Sequence, residues 1–250
     1  MDVIRALRAK LPEPLRQRLR SMRRWLSGTP GVGRTNFGDL RRLEPVSRHF
    51  GYDRGTPIDR RYVERFLQEA CMDVKGRVLE VGDDTYTRKF GGARVTRSDV
   101  MHVHSGNPQA TIVADLADAP HVPDAEFDAI ILTQTLQLIF EAAAAVRTTH
   151  RILKPGGVLL LTVPGITCSD ARGEWGPTWY WSFTELAVRR LLSSSFGEEN
   201  VTTNVCGNVL AATAFLHGLA AEELSKDELN YADPSYPVTI TARAVKVGNR

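Results

Sequence analysis

Residues 77–84 (RVLEVGDD) constrain the fold most strongly, because an apolar run there ends in the acid Glu80 and is followed at once by Gly82. A second acid, Asp99, lies further along, at the expected end of the second strand. In a parallel α/β sheet a nucleoside cofactor lies beyond the carboxyl ends of the first strands. A glycine lets the backbone approach it there, and an acid accepts hydrogen bonds from both ribose hydroxyls. The segment therefore predicts a parallel sheet that binds a nucleoside.

Three later segments continue the order of strand, helix and strand. The short apolar run at residues 111–114 leads into Asp115 and Leu116, which brings a carboxylate suited to an adenine amino group to the same sheet edge. Residues 127–132 (FDAIIL) form a continuous apolar run, typical of a strand covered by helices on both faces. Residues 151–157 (RILKPGG) predict a helix that proline and glycine stop before a fifth strand at residues 158–163.

Together these motifs resemble the class I S-adenosylmethionine (SAM)-dependent methyltransferases, particularly their small-molecule, type 11-like branch, which shares the FDAIIL strand pattern and the LKPGG turn. The similarity extends over residues 50–247. It implies an α/β fold with a Rossmann-like, seven-stranded, mostly parallel sheet, helices on both faces and an antiparallel last strand. The C-terminal part fits this ending, with a strand expected at residues 201–205, a helix near 209–219 and a final strand at 238–245.

The resemblance also implies a SAM site. It places Glu80 and Gly82 beside the methionine part, Asp99 at the ribose, and Asp115 with Leu116 at the adenine. The chain departs from the family pattern at one position, because Asp84 stands where a second glycine is usual. We therefore expect the loop that begins at Gly82 to differ in conformation from that of the family.

Three more residues complete the predicted cofactor set. In similar methyltransferases the segment before the first strand closes over SAM, so Tyr52 or Arg54 is expected at the methionine carboxylate, an anion that suits a bidentate guanidinium. The alternative is that both residues belong to a surface turn. Gln134 is included because it follows the fourth strand, whose end forms the floor of the reaction pocket.

A nicotinamide oxidoreductase is the rival class, since it also uses a strand, a glycine turn and an acid. It normally needs three glycines spaced GxGxxG to seat a pyrophosphate on a helix N-terminus. Here Gly82 is followed by Asp83 and Asp84, and two carboxylates would repel a pyrophosphate. SAM has no phosphate and carries a sulfonium cation, so the charge pattern favours SAM. A non-catalytic SAM-binding scaffold is the alternative outside enzymes.

The acceptor side is predicted from residues that follow the expected strands. The candidate bases are Asp170, after the fifth strand, and His102, close behind Asp99, with His104 and His217 as alternatives. Gln134 and Gln137 are suited to orient an acceptor but not to act as bases. The candidate acceptor-binding residues are Trp175, Trp179, Tyr180 and His217. Aromatic faces suit sugar rings as well as flat apolar molecules, and residues 208–212 and 233–238 resemble methyltransferases of polysaccharide and glycosylated-metabolite pathways. We predict O-methylation of a small molecule or saccharide hydroxyl. The alternative is N- or carboxyl-methylation of a small metabolite.

The domain organisation follows from charge and turn residues. Residues 1–28 hold eight basic groups against Asp2 and Glu13 and are predicted to form a basic amphipathic arm. Residues 29–49 are predicted to be a linker, and residues 50–250 the SAM-dependent domain. The arm is expected to pack on its own domain or to contact an anionic membrane surface or a protein partner. Nucleic acid is not expected as a partner, because the rest of the chain is mildly acidic and the arm has one aromatic residue.

Cysteine and histidine usage indicates neither a metal site nor a disulfide framework. The three cysteines, Cys71, Cys168 and Cys206, have no metal-ligand spacing, so they are expected to stay reduced. The first residues lack the continuous apolar run of a secretory signal. These features predict a cytoplasmic protein without a metal ion.

Overall fold

The computed structural model describes residues 28–248 and, before them, Pro12, Pro14, Leu15, Arg18 and Met22. Most of the predicted basic arm at residues 1–28 thus lies outside the described residues. The chain divides into two compact units, Met1–Glu44 and Pro45–Arg250. A turn of 3-10 helix at Gly38–Leu40 belongs to the first unit, and every element below belongs to the second.

Within the described residues, seven strands form one sheet. They are β1 Gly76–Val81, β2 Val95–His102, β3 Ile112–Val113, β4 Phe127–Thr133, β5 Leu153–Pro164, β6 Val201–Cys206 and β7 Thr239–Val245. Their order in the sheet is β3-β2-β1-β4-β5-β7-β6. Neighbours among β1 to β5 pair in parallel, whereas β7 runs antiparallel to both β5 and β6. The predicted seven-stranded, mostly parallel sheet with an antiparallel last strand is confirmed.

The α-helices follow the expected alternation with strands. They are α1 Ile58–Glu69, α2 Ala142–Ile152, α3 Glu185–Phe196, α4 Val209–Leu216 and α5 Lys226–Asn230. A short π-helical turn, Thr87–Gly91, links β1 to β2. In the part of the chain that the structure describes, no helix has both the length and the apolar character needed to cross a membrane.

The core lies on both faces of the sheet. In the central strand β4, Ile130 and Leu132 pack in one cluster with side chains of α2 and α3, whereas Ala129 and Ile131 pack in another with side chains of α1. All four are fully buried, and full burial of one aliphatic side chain contributes roughly 1.5–3 kcal/mol. Burial on both faces explains why FDAIIL is a continuous apolar run rather than an alternating one.

The parallel strands all end at the same edge of the sheet. There β1 is followed by Gly82, β2 by Val103, β3 by Ala114 and then Asp115, and β4 by Gln134. Ligands of open α/β sheets bind outside this edge, at the point where the strand order reverses. In this sheet the reversal lies between β1 and β4.

Candidate active site

A cavity of about 920 Å³ lies at the carboxyl edge of the sheet. Its volume is near the upper end of the 300–1,000 Å³ typical of small-molecule sites. Ten predicted site residues line it, namely Tyr52, Glu80, Gly82, His102, Asp115, Leu116, Gln134, Trp175, Trp179 and Tyr180. The other four, Arg54, Asp99, Asp170 and His217, are not part of the lining. The structure thus brings together most of the predicted set, while the role of each residue stays a prediction.

Glu80 fixes the loop that follows β1. Its carboxylate is almost fully buried and accepts hydrogen bonds from the backbone amides of Thr87, at 2.7 Å, and Tyr86, at 3.2 Å. Burial raises the pKa of Glu80 to about 7, although the two amides favour the ionised form. Glu80 therefore stabilises the conformation of the loop, and a cation nearby would lower its pKa.

Gly82 occupies a backbone conformation that favours glycine, with φ at 99°. A Cβ atom at this position would meet no atom within 4 Å, so the space beside it is free for a ligand. The Gly82 amide donates to the Met101 carbonyl at 3.0 Å, and the Asn107 side-chain amide donates to the Gly82 carbonyl at 2.6 Å. These two bonds fasten the glycine turn to the end of β2.

Asp84, the departure from the usual glycine pattern, is not in the cavity lining. Its carboxylate accepts from the Arg88 guanidinium, with Nε and Oδ2 2.6 Å apart. Asp83 does line the cavity, and its Oδ1 accepts from the Thr85 amide at 2.8 Å. The loop therefore presents one acid to the ligand space rather than two.

Asp99 requires a correction, because it lies inside β2 and not at its end. The side chain is 1% exposed, and its oxygens accept from Arg77 Nε at 2.7 Å, Arg97 Nη2 at 3.1 Å and Thr111 Oγ1 at 3.1 Å. Burial opposes ionisation, but these partners, Arg77 first, keep the pKa of Asp99 below its usual value. The structure thus does not place Asp99, predicted to bind the ribose, at the sheet edge, since β2 continues to His102, and Met101 and His102 pair with β3.

The residues that follow β3 lie where the sequence pattern predicts them, at the cavity. Asp115 and Leu116 both line the cavity. Asp115 Oδ1 accepts from the Ala117 amide at 2.8 Å, which stabilises the turn, and Leu116 packs into the core. The pair thus offers a carboxylate and an apolar surface at one place, as expected for an adenine site.

Arg54 also requires a correction, because Glu223 engages it away from the cavity. Its Nε and Nη2 reach the two carboxylate oxygens of Glu223 at 3.0 and 2.5 Å. A different arginine, Arg60 in the first turn of α1, lines the cavity together with Tyr52. Arg60 Nε donates to the Tyr52 hydroxyl at 2.9 Å. Sequence reasoning missed Arg60; its place in the first turn of the predicted helix, next to Asp59, was the available signal.

The neighbours of Arg60 create a charged corner in the cavity. Arg60 and Asp59 form a loose ion pair at 4.0 Å. Burial lowers the pKa of Arg60, but attraction to Asp59, Tyr52 and Tyr86 together outweighs it and the net shift is upward. Burial raises the pKa of Asp59, and its Oδ1 is a buried atom without a partner. Because an unpaired buried oxygen is costly, this corner is suited to a ligand that carries both a carboxylate and an ammonium group.

Asp170 and His217 are placed by the structure in other roles. Asp170 has φ at 40°, and its Oδ2 accepts from the Trp175 amide at 3.2 Å, so it shapes the turn that carries the tryptophan. His217 caps the end of α4, and its carbonyl accepts from the amides of Val46, at 2.8 Å, and Ser47, at 3.0 Å. Neither residue lines the cavity, and His217 Nδ1 is buried without a hydrogen-bond partner. The structure therefore does not bring Asp170, predicted as a base, or His217, predicted as an acceptor contact, into the cavity lining.

An aromatic wall lines the same cavity as the carboxyl edge of the sheet, which we call the cofactor edge after the predicted SAM site. We use the term aromatic wall for six of the lining aromatic residues, Phe50, Phe140, Trp175, Trp179, Tyr180 and Phe215. Trp179 stacks on Phe50 at 6.2 Å, and Tyr180 meets Phe140 edge-on at 5.4 Å. The amides of Tyr180 and Trp181 both donate to the Gln137 carbonyl, at 3.0 and 3.2 Å. This wall is therefore joined to the segment after β4 by hydrogen bonds as well as by packing.

Two glutamines at the end of β4 lie between the cofactor edge and the aromatic wall. Gln134 has a left-handed backbone, φ 46°, which is uncommon for a residue other than glycine. Gln137 Nε2 donates to the Gln134 carbonyl at 2.8 Å. Gln134 Nε2, Gln137 Oε1 and Trp179 Nε1 are buried and have no hydrogen-bond partner. The site thus holds both donors and an acceptor for an uncharged polar ligand.

Among the described residues, no group of three or more His, Cys, Asp or Glu side chains is placed to hold a metal ion.

Part of the chain is similar to known methyltransferases. Residues 65–161, less than half of the chain, match a family model described as a methyltransferase domain. A protein of Mycolicibacterium smegmatis named as a probable S-adenosylmethionine-dependent methyltransferase is 35% identical over 110 residues, which are 44% of this chain and 38% of that protein. The chain therefore matches well under half of the length of this curated relative.

Solved structures share the fold at low sequence identity. A SAM-dependent methyltransferase from Mesorhizobium loti has a TM-score of 0.50 and 15% identity, covering 76% of this chain and 98% of that one. The [4+2]-cyclase SpnF has a TM-score of 0.50 and 18% identity, covering 75% and 81%. At this identity the likeness shows the fold alone. The family model and the curated relative add that part of the chain is similar to methyltransferases, and the relative is named as a probable SAM-dependent one.

Proposed function

We propose that the protein transfers the methyl group of SAM to a hydroxyl oxygen of a small molecule or saccharide. One observation carries this proposal: a single cavity joins the cofactor edge of the sheet to the aromatic wall, with unpaired amide groups between them. SAM supplies an activated methyl group on a positive sulfur, so the protein contributes mainly by positioning the two reactants.

The residues at the cofactor edge fit SAM. Gly82 leaves free space beside the backbone. The corner formed by Asp59 and Arg60 matches the ammonium and carboxylate of the methionine end, with a bidentate guanidinium suited to the carboxylate. Glu80, buried near this end, adds negative charge that favours the ammonium and sulfonium groups. We assign Arg60, in place of Arg54, to the carboxylate.

The aromatic wall fits an acceptor with a flat apolar face and polar edges. A pyranose ring has such a face and presents hydroxyls at its rim, which act as donors and acceptors at once. Gln134 Nε2 and Trp179 Nε1 are donors, and Gln137 Oε1 is an acceptor. An unpaired buried polar group costs about 1–3 kcal/mol, so a hydroxylated ligand that satisfies these atoms is favoured over a purely apolar one.

A hydroxyl acceptor also needs a group that takes its proton. With Asp170 outside the cavity, Glu141 is the lining carboxylate next to the aromatic wall, directly after Phe140. Within the described residues its carboxylate has no hydrogen-bond or ion-pair partner, so it is free to accept a proton. We propose Glu141 as this base.

Calorimetric titration with SAM, S-adenosylhomocysteine and NADH tests the cofactor half of the proposal. Binding of the first two without NADH is expected. Turnover then follows from S-adenosylhomocysteine release with a panel of free sugars, aryl glycosides, amines and carboxylic acids. Methylation of amines or acids but not of hydroxyls would contradict oxygen as the acceptor atom. SAM binding without turnover of any acceptor would favour a non-catalytic scaffold.

The variant Glu141→Gln separates chemistry from binding. We expect it to keep SAM affinity within twofold and to lower kcat by 10²–10⁴-fold, the usual contribution of a positioned base. Asp170→Asn is the matched control, since that carboxylate does not line the cavity. A larger loss of kcat in the Asp170 variant would restore Asp170 as the base.

A further inference from the structure

We propose that His102, at the end of β2, contacts the ribose hydroxyls of SAM and so replaces the acid that usually does so. The proposal depends on SAM as the cofactor and not on the identity of the acceptor. It also reassigns His102, which the sequence suggested as a base, to cofactor recognition.

The order of the strands places His102 opposite the ribose. In SAM the ribose lies between the methionine and the adenine. In the sheet, β2 lies between β1 and β3. Glu80 lies in β1 and Gly82 directly after it, whereas Asp115 and Leu116 come after β3, so a cofactor that spans these predicted contacts passes over the end of β2. His102 is the last residue of β2 and lines the cavity.

Asp99 is not able to take this role. It lies three positions before the end of β2 and is 1% exposed. Arg77, Arg97 and Thr111 occupy its oxygens. Turning Asp99 toward a ligand would break these bonds and leave the Arg77 guanidinium with Glu126 as its remaining partner among the described acids. The carboxylate therefore holds strands together.

The ring of His102 is oriented by the chain that follows it. Nδ1 lies 3.1 Å from the His104 carbonyl oxygen and 3.2 Å from the His104 amide nitrogen. The His102 carbonyl accepts from the Ala114 amide at 3.0 Å, which holds the backbone in the sheet. The other ring nitrogen, Nε2, makes no hydrogen bond to any described residue. A held ring with one free nitrogen at the cavity is a suitable contact for a hydroxyl, since either tautomer offers a donor or an acceptor there.

Two other polar residues near this edge serve as comparisons. His104 lines the cavity but is exposed, and the structure gives its ring no hydrogen bond. Asp83 lines it too, with Oδ1 held by the Thr85 amide. Both residues lie in loops, Asp83 after β1 and His104 after β2. His102 is the only one of the three that belongs to β2, so we assign the ribose contact to it.

The test compares S-adenosylhomocysteine with its 2′,3′-dideoxy analogue by calorimetry. We expect the wild-type protein to bind the parent ligand at least about tenfold more tightly, the loss of one or two hydrogen bonds. His102→Ala should reduce this ratio to about one, whereas Asp99→Asn, His104→Ala and Asp83→Asn should keep it. His102→Asp should retain the ratio, because a carboxylate accepts from both hydroxyls, and this variant also shows that substitution at the site leaves a folded protein.

Retention of the full ratio in His102→Ala would overturn the proposal, as would loss of the ratio in the Asp99, His104 or Asp83 variant alone. A wild-type protein that binds both ligands equally would also overturn it, because no residue would then contact the hydroxyls. A wild-type protein that binds neither ligand would instead remove the cofactor on which the proposal depends. If the protein transferred no methyl group to any acceptor, the ratio of the two ligand affinities would be unaffected, and this inference would stand.

Discussion

The cofactor edge and the aromatic wall of the same cavity are built in different ways. At the cofactor edge, Glu80, Gly82 and Asp115 lie within one or two positions of a strand end, so the sheet itself places them. The aromatic wall combines distant parts of the chain: Phe50 precedes α1, Phe140 follows β4, and Phe215 belongs to α4. One side therefore inherits its geometry from the sheet, and the other depends on contacts between loops.

This difference predicts that substitutions on one side of the cavity should leave ligand binding on the other side unchanged. Trp179 is held against Phe50 by ring stacking, and Tyr180 by its amide bond to the Gln137 carbonyl. None of these contacts passes through Glu80 or Gly82. Substitutions in the wall should thus affect the acceptor, and substitutions at the sheet edge should affect SAM.

The largest expected effect on SAM affinity comes from the charged corner formed by Asp59 and Arg60. Arg60→Ala should weaken SAM binding about 100-fold, because charge-assisted hydrogen bonds of about 3 kcal/mol in total are lost. Arg54→Ala is the matched control and should leave SAM affinity within twofold, since Arg54 pairs with Glu223 outside the cavity. Calorimetry gives both values. Equal losses in the two variants would show that the segment before α1 reaches the cofactor as a whole.

Glu80 allows the cofactor edge to be tested through pH. Its carboxyl has a pKa of about 7 in the folded protein, and SAM with its ammonium and sulfonium groups favours the ionised form. SAM affinity should therefore rise roughly tenfold from pH 6 to pH 8. Glu80→Gln should abolish this slope. A slope that persists in the variant would point to another titrating group.

The stability of the ligand-free protein should change in the opposite direction. Because the folded pKa of Glu80 lies above its ordinary 4.5, protonation favours the folded state. This contribution to the free energy of unfolding is fully present below pH 4.5 and is lost as pH rises through 7; it amounts to about 3 kcal/mol at most. Thermal unfolding at pH 5 and pH 8, compared with Glu80→Gln, measures it. Parallel changes in wild type and variant would contradict the assignment.

Trp179→Ala tests the independence of the aromatic wall. We expect the acceptor KM to rise about tenfold as a stacking surface and an indole donor are lost, while SAM affinity stays within twofold. Trp181→Ala is the control, because Trp181 is outside the cavity lining and its indole donates to the Ile139 carbonyl at 3.1 Å. Steady-state kinetics with an acceptor found in the panel distinguish the two. A matching loss of SAM affinity in the Trp179 variant would show that the two sides are coupled.

The smallest effect is expected at Gln134, which lies where the two sides meet. Gln134→Gly removes the strain of φ 46° but adds freedom to the unfolded chain, so the free energy of unfolding should change by less than about 1 kcal/mol. Turnover should nevertheless fall, since the side-chain amide is lost. Denaturant unfolding and acceptor kinetics measure the two quantities. A stability loss of several kcal/mol would mean that the glutamine side chain supports the fold rather than the site.

The errors of sequence reasoning have a common physical cause. Asp99 was expected at a strand end, but the length of β2 depends on its pairing with β3, and Arg77 on β1 offers the carboxylate a partner. Arg54 and Arg60 are equally basic in the sequence, and only the position of Glu223 decides which of them is left for the cavity. Each outcome depends on a residue that is distant along the chain.

The sequence by itself determined the sheet, its carboxyl edge and the adjacent positions Glu80, Gly82 and Asp115, because apolar periodicity and turn residues act over short distances. Only the tertiary structure decided which arginine faces the cavity, that His102 rather than Asp99 ends β2, and how the aromatic wall closes. These features depend on pairing, charge compensation and packing between distant segments, and such long-range contacts have no local signature in the chain.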